Sequence, residues 1–475
     1  MDIGSFFQHI KEHLAAKDGT EQQLRYNLLL GRYEPEIKEV LKKRNPLTHE
    51  EYHIVWINLY KMVVDRLGGA YYQPEPQRTF HIGGAPVEGA LLERIEQMYN
   101  FDVALDKNAR YTVAHRTVAV RVVWRHDRVE LDVLPPMQWD VKTEAPDHTD
   151  LEDASLWVLY LKADRQTVLW VWDPEHELSI NNVPQFYVLD KNMNVTDFGP
   201  NPYYIQTEGG RQYTAPVEVC RYEDPDTTFH VEGGEDLSTA ALHVGYETTD
   251  IAHTVGWQSH GQPVFTNMPP DQAGQMVLSP SRGIGLNEGQ KFEYVSAPSA
   301  IESRLKALDK FLAQLAQAYD LPADVFDESK APESGVSRRL AHAPLLERRN
   351  AYAKRMADFE ERLWLKIRTV WNAHSAEVNR IPETVELSVE HTVQTMPLDP
   401  TEQQETDIRE LRLGVKSPVD LIVRDRGVTR DEALAIYQEN IQINAAIGVS
   451  GMARLVRDSI DEGLCSTEDI LEGDA

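Results

Sequence analysis

Cysteine is nearly missing from this chain: among 475 residues there are only Cys220 and Cys465, far apart and in no metal-ligand spacing. That excludes a disulfide scaffold and a cysteine-ligated zinc module, and fits a reducing cytosol. Long apolar runs are missing too. No stretch approaches the length of a membrane span, and the opening MDIGSFFQHIKEHLAAKDG lacks a basic segment followed by an apolar run. The expectation is a protein made in cytoplasm, used there or assembled there into something larger. Cations are scarce: Lys plus Arg is 48 against Asp plus Glu 76, a net charge of −28. Binding DNA phosphates takes cations that displace condensed counterions, so general affinity for DNA is excluded. Passage of DNA is not, because a repelling wall keeps a moving polyanion from sticking.

Chemical motifs are equally thin. The glycine-rich GIGLNEGQKF, residues 283–292, has neither the G-x-x-x-x-G-K-[ST] pattern nor a strand-Gly-helix setting, so no nucleotide site is expected there. His49-Glu50-Glu51-Tyr52-His53 matches H-E-x-x-H, in which two histidines one helical turn apart bind zinc and the glutamate serves as base. Here His49 directly follows a helix-capping Thr48, and no third ligand follows at a metzincin spacing, so a helix start is the simpler reading. A zinc-dependent peptidase built on His49, Glu50 and His53 stands as the enzymatic alternative. GVTRDEALAIYQEN has the outline of half a helix-turn-helix, but its acidic helices suit packing rather than phosphate contact. No catalytic triad stands out.

Hydrophobic content of 41% and charged content of 26% mark a soluble folded chain, and its length predicts about two to four packed regions. Residues 1–70 read as helices, with one stopped by Pro46. A second starts at Thr48 and carries Val55, Leu59, Met62 and Val63 on one face. From about 110 to 220 the period drops to two. Val118, Val120, Val122 and Trp124 share one face, turn at His126-Asp127, and continue as Val129, Leu131 and Val133. LWVLYLK and QTVLWVW repeat the hairpin, and Phe186–Leu189 and Val217–Tyr222 add shorter strands, so the fold class is α+β.

After Gly233-Gly234 the helical period returns as Leu237, Ala241, Val244, Ile251 and Val255. Residues 259–296, with four prolines and several glycines, read as short strands and loops. Ile301, Leu305, Leu308, Leu312, Leu315 and Tyr319 then form a heptad seam that calls for a lengthwise helical neighbour. Residues 321–335, LPADVFDESKAPESG, read as an acidic loop. A helix kinked or restarted at Pro344 follows, with Tyr352, Met356, Phe359, Leu363, Ile367 and Val370 on one face. Between Arg338 and Arg368 it holds nine Lys/Arg against four acids. These cations form either a solvated or ion-paired face, or contacts to DNA or a neighbouring subunit. A strand with Val385, Leu387 and Val389 on one face precedes short capped helices.

This order, and several local sequences, resemble the portal proteins of tailed bacteriophages. GRYEPEIKEVLKKRNPLTHEEYHIVWINLYKMVVDRLGG is similar to the portal N-terminus, and VLPPMQWDV to the strand-turn before the wing hairpins. AYDLPADVFDESKAPESGVSRRLAHAPLLERRNAYAKRMADFEERLW resembles the passage in which a proline closes the stem helix, a Ser-Gly pair ends the tunnel loop and a basic-aromatic helix follows. LRLGVKSPVDLIVRDRGVTRDEALAIYQEN is similar to the crown. The likeness spans nearly the whole chain; only residues 175–215 match nothing.

The resemblance implies a wing over 1–230, stem helices over 231–258 and 297–320, and a clip over 259–296. A tunnel loop over 321–335, a return to the wing over 336–398 and a crown over 399–475 complete it. It implies a cyclic ring of about twelve subunits at one capsid vertex of the virion, through which double-stranded DNA passes weakly bound. Terminase, the head-tail adaptor and capsid proteins are the implied partners; no membrane, cofactor, metal or catalytic residue is implied. Phe326, Lys330, Glu333, Arg338 and Arg339 are the expected tunnel-loop or DNA-facing residues, and Leu305, Leu308, Leu312 and Leu315 the oligomer seam. The rival is another structural protein of a phage head.

Overall fold

The computed structural model describes residues 21–44, 46, 50, 52–71, 75–143, 154–161, 166–171, 175–176, 178–192, 194–201, 204–207, 210–213, 216–225, 229–260, 262–273, 284–295, 301–327, 335–392 and 400–447. The chain divides into two compact units, residues 1–395 and 396–475.

The first unit is layered. Helices α1 (Glu21–Leu29) and α2 (Glu34–Arg44) are separated at Gly31, whose φ of 75° lets the chain reverse. Helix α3 runs Leu59–Leu67, strands β1 and β2 Gln77–Ile82 and Ala85–Pro86, and helices α4 and α5 Ala90–Met98 and Asp102–His115. Strands β3 (Thr117–Arg125) and β4 (Arg128–Leu134) pair as the expected hairpin. Its turn residues His126 and Asp127 both have positive φ, 53° and 57°, which matches the twist of a two-residue hairpin loop.

Five strands, β5 (Trp139–Thr143), β6 (Ala154–Leu161), β7 (Gln166–Val171), β8 (Gln185–Leu189) and β9 (Val195–Pro200), form one antiparallel sheet in sequence order. Strands β10 (Tyr204–Thr207) and β11 (Gly210–Tyr213) pair with each other, and β12 (Val217–Arg221) joins the sheet β12-β3-β4. The period-two pattern explains how the layers stack. Val118, Val120 and Val122 face the helices, whereas Ala119, Leu134, Val217 and Val219 face Trp139, Trp157, Leu159 and Trp170 of the five-stranded sheet. The opposite face of that sheet buries Leu156, Val158, Leu169 and Val171.

Helix α6 (Glu235–His260) leads to strand β13 (Gln262–Thr266), a single turn α7 (Pro270–Ala273), and strand β14 (Lys291–Val295), which pairs antiparallel with β13. Helix α8 (Ile301–Ala318) returns, and α9 spans Gly335–His374, 40 residues that continue through Pro344 without a restart. The predicted face of α9 is the buried one: Tyr352, Met356, Phe359, Leu363, Ile367 and Val370 are all at most 4% exposed. Strand β15 (Val385–Glu390) closes the unit by pairing with β1, Phe80 opposite Leu387.

Two expectations fail in the first 120 residues. The helix expected from Thr48 begins only at Leu59, capped by the Asn58 side chain. Val55 is exposed, and its backbone is held by Thr248 and Thr249 of α6, which competes successfully with helix formation over residues 52–58. The β region expected from about residue 110 begins at Thr117, because α5 continues to His115.

The second unit shows α10 (Pro400–Arg412), α11 (Pro418–Arg426) and α12 (Arg430–Ile447). Ser417 and Asp420 form a full capping box, and Gly427 ends α11 in the left-handed conformation with φ 63°. A two-pronged ion pair, Arg424 to Asp407 at 2.7 and 2.9 Å, joins α11 to α10. Among the described residues of this unit only Val419 and Ala433 are buried apolar side chains, whereas Leu413, Val415, Ile441 and Ile443 are exposed. The expected cap at Ser466 lies outside the described residues.

Candidate functional site

Helices α6 and α8 pack lengthwise, as the heptad seam requires. At one end of the pair the seam is filled. Leu237, Ala240, Ala241 and Val244 of α6 and Leu315 and Ala316 of α8 are buried, while Leu308 and Leu312 are half-buried against the main core. Towards the other end Leu305 is 44% and Val255 43% exposed, while Ile301 and Ile251 are half-buried.

Polar contacts fix the pair where α8 begins. Arg304 of α8 bonds Glu247 at 2.6 Å and Asp250 at 2.5 Å on α6. Tyr52 donates to Asp250 at 3.2 Å, and its ring stacks on His253 at 3.9 Å. At the filled end Tyr319 donates to Asp236 at 2.8 Å. Burial and that carboxylate both push the Tyr319 phenol up, keeping it neutral as a donor.

Past α8 the chain turns at Asp320, whose φ is 55°. The loop expected over 321–335 is not solvated throughout. Leu321 is buried, Phe326 is half-buried against the main core, and His342 lies 3.8 Å from Asp324. Lys330 and Glu333 lie outside the described residues. Arg338 is exposed and Arg339 half-buried on the first turns of α9. Five of the other seven cations of this helix make hydrogen bonds inside the chain. Arg348 bonds Tyr222 and Asp320, Arg349 the Arg66 carbonyl, Arg355 Asp224, Arg362 Glu218, and Arg368 the Val385 carbonyl. Sequence reasoning could count these cations but could not pair them, because their partners lie up to 283 residues away.

The zinc motif does not assemble as a helical pair. His53 is exposed in a segment without helical structure, and His49 lies outside the described residues. Among the described residues no three His, Cys, Asp or Glu side chains are grouped to hold a metal ion. An open groove of about 1000 Å³ lies between α4, α5 and β4, and no sequence signal announced it. Two of its carboxylates are engaged with its own arginines, Asp132 with Arg125 at 2.7 Å and Glu130 with Arg128 at 2.8 Å. No helix among the described residues is long and apolar enough to cross a membrane.

The fold is thus a mixed α+β body carrying a pair of antiparallel helices capped by a two-stranded ribbon. No family model matches the chain, and no curated protein does. Among solved structures it is similar to a chain in the neck of an empty GTA particle computed with C6 symmetry. That match has 12% identity, 77% of this chain and 88% of that one covered, and a TM-score of 0.42. A chain in the virion of a native gene transfer agent particle is similar at 11% identity, with the same coverage and a TM-score of 0.39.

Proposed function

We propose that this chain is a portal subunit, a non-enzymatic member of a closed ring at one vertex of a phage-type capsid. The observation that carries the reading is the seam of α6 and α8. Leu305 and Val255, exposed where the seam continues its buried part, need a second surface, and in a ring the next copy supplies it. The second unit supports this, since among its described residues only Val419 and Ala433 are buried apolar side chains, so its three helices gain from neighbours.

In this reading α6 and α8 are stem helices around a channel, the β13–β14 ribbon belongs to the clip, and residues 321–335 narrow the channel. The layered body is the wing and the second unit the crown. Terminase would dock first and the head-tail adaptor later, with capsid proteins around the ring of about twelve subunits. Duplex DNA would pass as weakly held cargo, repelled by an acidic wall that includes the cations Lys330, Arg338 and Arg339. The work is positional, and no residue makes or breaks a bond.

Leu305→Asp tests the reading. The side chain is 44% exposed in the single chain, so folding tolerates the charge, whereas an intersubunit seam does not. Light scattering and particle images show closed rings for the parent and folded monomers for the variant. Normal rings from Leu305→Asp, or a parent that stays monomeric at high concentration, overturn the proposal.

A further inference from the structure

The sheet β12-β3-β4 ends at β4, so one edge of β4 has no strand beside it among the described residues. The register gives the groups that this edge presents. His126 and Asp127 make a two-residue loop, closed by Arg125 and Arg128 as a hydrogen-bonded pair. Every second pair after it, Val123 with Glu130 and Arg121 with Asp132, is bonded in the same way. Val129, Leu131 and Val133 therefore turn their N–H and C=O groups away from β3. Val122, opposite Leu131, agrees: its N–H donates to the Pro216 carbonyl at 2.7 Å, on the β12 side.

The groove between α4, α5 and β4 runs along that edge. All of residues 127–134 line it, whereas a cleft over one face of a strand meets alternate residues. Val129 and Val133 bury their side chains in the main core, so what they turn to the groove is main chain. Nor is the edge blunted. The outer pairings of the five-stranded sheet carry register shifts, at Lys142/Thr143 and Val188/Leu189, and β9 ends in Gly199-Pro200. Strand β4 keeps an unshifted ladder over seven residues and holds no proline.

In a chain of net charge −28 the described lining of this groove holds four cations against three carboxylates. Two of those carboxylates, Glu130 and Asp132, are already held by Arg128 and Arg125. On the helical wall Arg94 donates to the Val378 carbonyl at 3.2 Å, and Lys107 lies 5.1 Å from the Tyr111 ring centre. Among the described residues neither cation has a carboxylate partner. Between them Val103 is 86% exposed, an apolar rest inside a charged rim.

We propose that this groove takes an extended acidic segment of a separate protein as a fourth strand of the sheet. Its main chain would bond Val129, Leu131 and Val133, and its carboxylates would meet Arg94 and Lys107. Seven residues at about 3.4 Å each give roughly 24 Å of edge to follow. A second copy of this chain is the poorer donor, because each of its described strands already lies in a sheet. The inference does not rest on the ring.

Hydrogen exchange of the folded chain, read amide by amide, tests it with a synthetic peptide of alternating glutamate and valine. The amides of Val129, Leu131 and Val133 should exchange freely in the chain alone and slow about tenfold or more with the peptide. Those of Glu130 and Asp132, bonded to β3, should not change. Methylating the peptide's main-chain nitrogens should abolish the effect, and Arg94→Glu with Lys107→Glu should weaken binding about tenfold. Equal binding of the methylated peptide, no slowing at millimolar peptide, or three amides already protected in the chain alone overturns the proposal, whether or not the charge variant folds. Protection that appears on self-assembly without peptide also overturns it, by giving the groove to a second copy. Monomeric Leu305→Asp and the parent should respond to the peptide alike, so failure of the portal reading is told apart from failure of this one.

Discussion

Glu360, fully buried on α9, accepts a hydrogen bond from the Tyr99 hydroxyl at 2.6 Å. Tyr71 donates to the second carboxylate oxygen at 2.9 Å, and Arg78 of β1 supplies the neutralising charge while also bonding Asp102 at 2.7 Å. One carboxylate thus gathers β1, the segment after α3, the segment after α4 and helix α9. Burial and Glu360 push both phenols well above their ordinary range, so each remains a donor.

Removing only the cation from this cluster leaves a buried charge behind. Arg78→Met should destabilise the chain by about 3–5 kcal/mol in urea unfolding, because the carboxylate keeps its desolvation cost and loses its partner. Arg78→Met with Glu360→Gln should recover part of the loss. If the double variant is as unstable as the sum of the singles, the charge is not what matters.

His115 makes stability depend on pH in a defined direction. Its folded pKa of about 3 lies below the ordinary 6.5, so below pH 6.5 the unfolded chain binds a proton that the folded one does not. Its contribution is complete above pH 6.5 and is lost as pH falls toward 3, at up to about 1.4 kcal/mol per unit. His115→Phe should flatten that part of the urea-midpoint profile; an unchanged slope would assign it to other groups.

Two glycines of α6 should answer alanine with opposite signs. A Cβ on Gly245 would meet Ile37 Cδ1 at 2.9 Å, so Gly245→Ala should cost about 1–3 kcal/mol through overpacking against α2. A Cβ on Gly256 meets nothing within 4 Å, so Gly256→Ala should stabilise the unassembled chain by up to about 1 kcal/mol. Thermal melts of the two variants check this directly.

If the ring conducts DNA, isolated rings should bind duplex weakly, with a shallow salt dependence that reports few phosphate contacts. Replacing Lys330, Arg338 and Arg339 by Glu should then alter packaging far more than ring stability. A tight sequence-specific complex at physiological salt would favour a regulator instead.

What was legible in the sequence was what repeats locally. The β3–β4 hairpin, the α8 seam and the buried face of α9 follow from periods of two, seven and three to four residues. Strand β1 was missed because its partner β15 lies some 300 positions away. Helix α5 was missed because its buried face includes Asn108, Thr112 and His115, which carry no apolar signal. Val55 misled because the Thr248 and Thr249 hydroxyls, rather than its own chain, take up its backbone groups. For the candidate site the apolar stripe was visible, but which of its residues stay exposed, Leu305 and Val255, was not.

Helix α9 has a mechanical consequence. Forty residues make a rod of about 60 Å. In its first half Arg349 grips the Arg66 carbonyl; near its C-terminal end Trp371 holds the Asn379 carbonyl. Between them the same rod lies on β3, β4, β12 and β15. A force or a chemical loosening applied at any of these strands is therefore shared along one stiff element. Under load β3, β4, β12 and β15 should yield together, without peeling strand by strand.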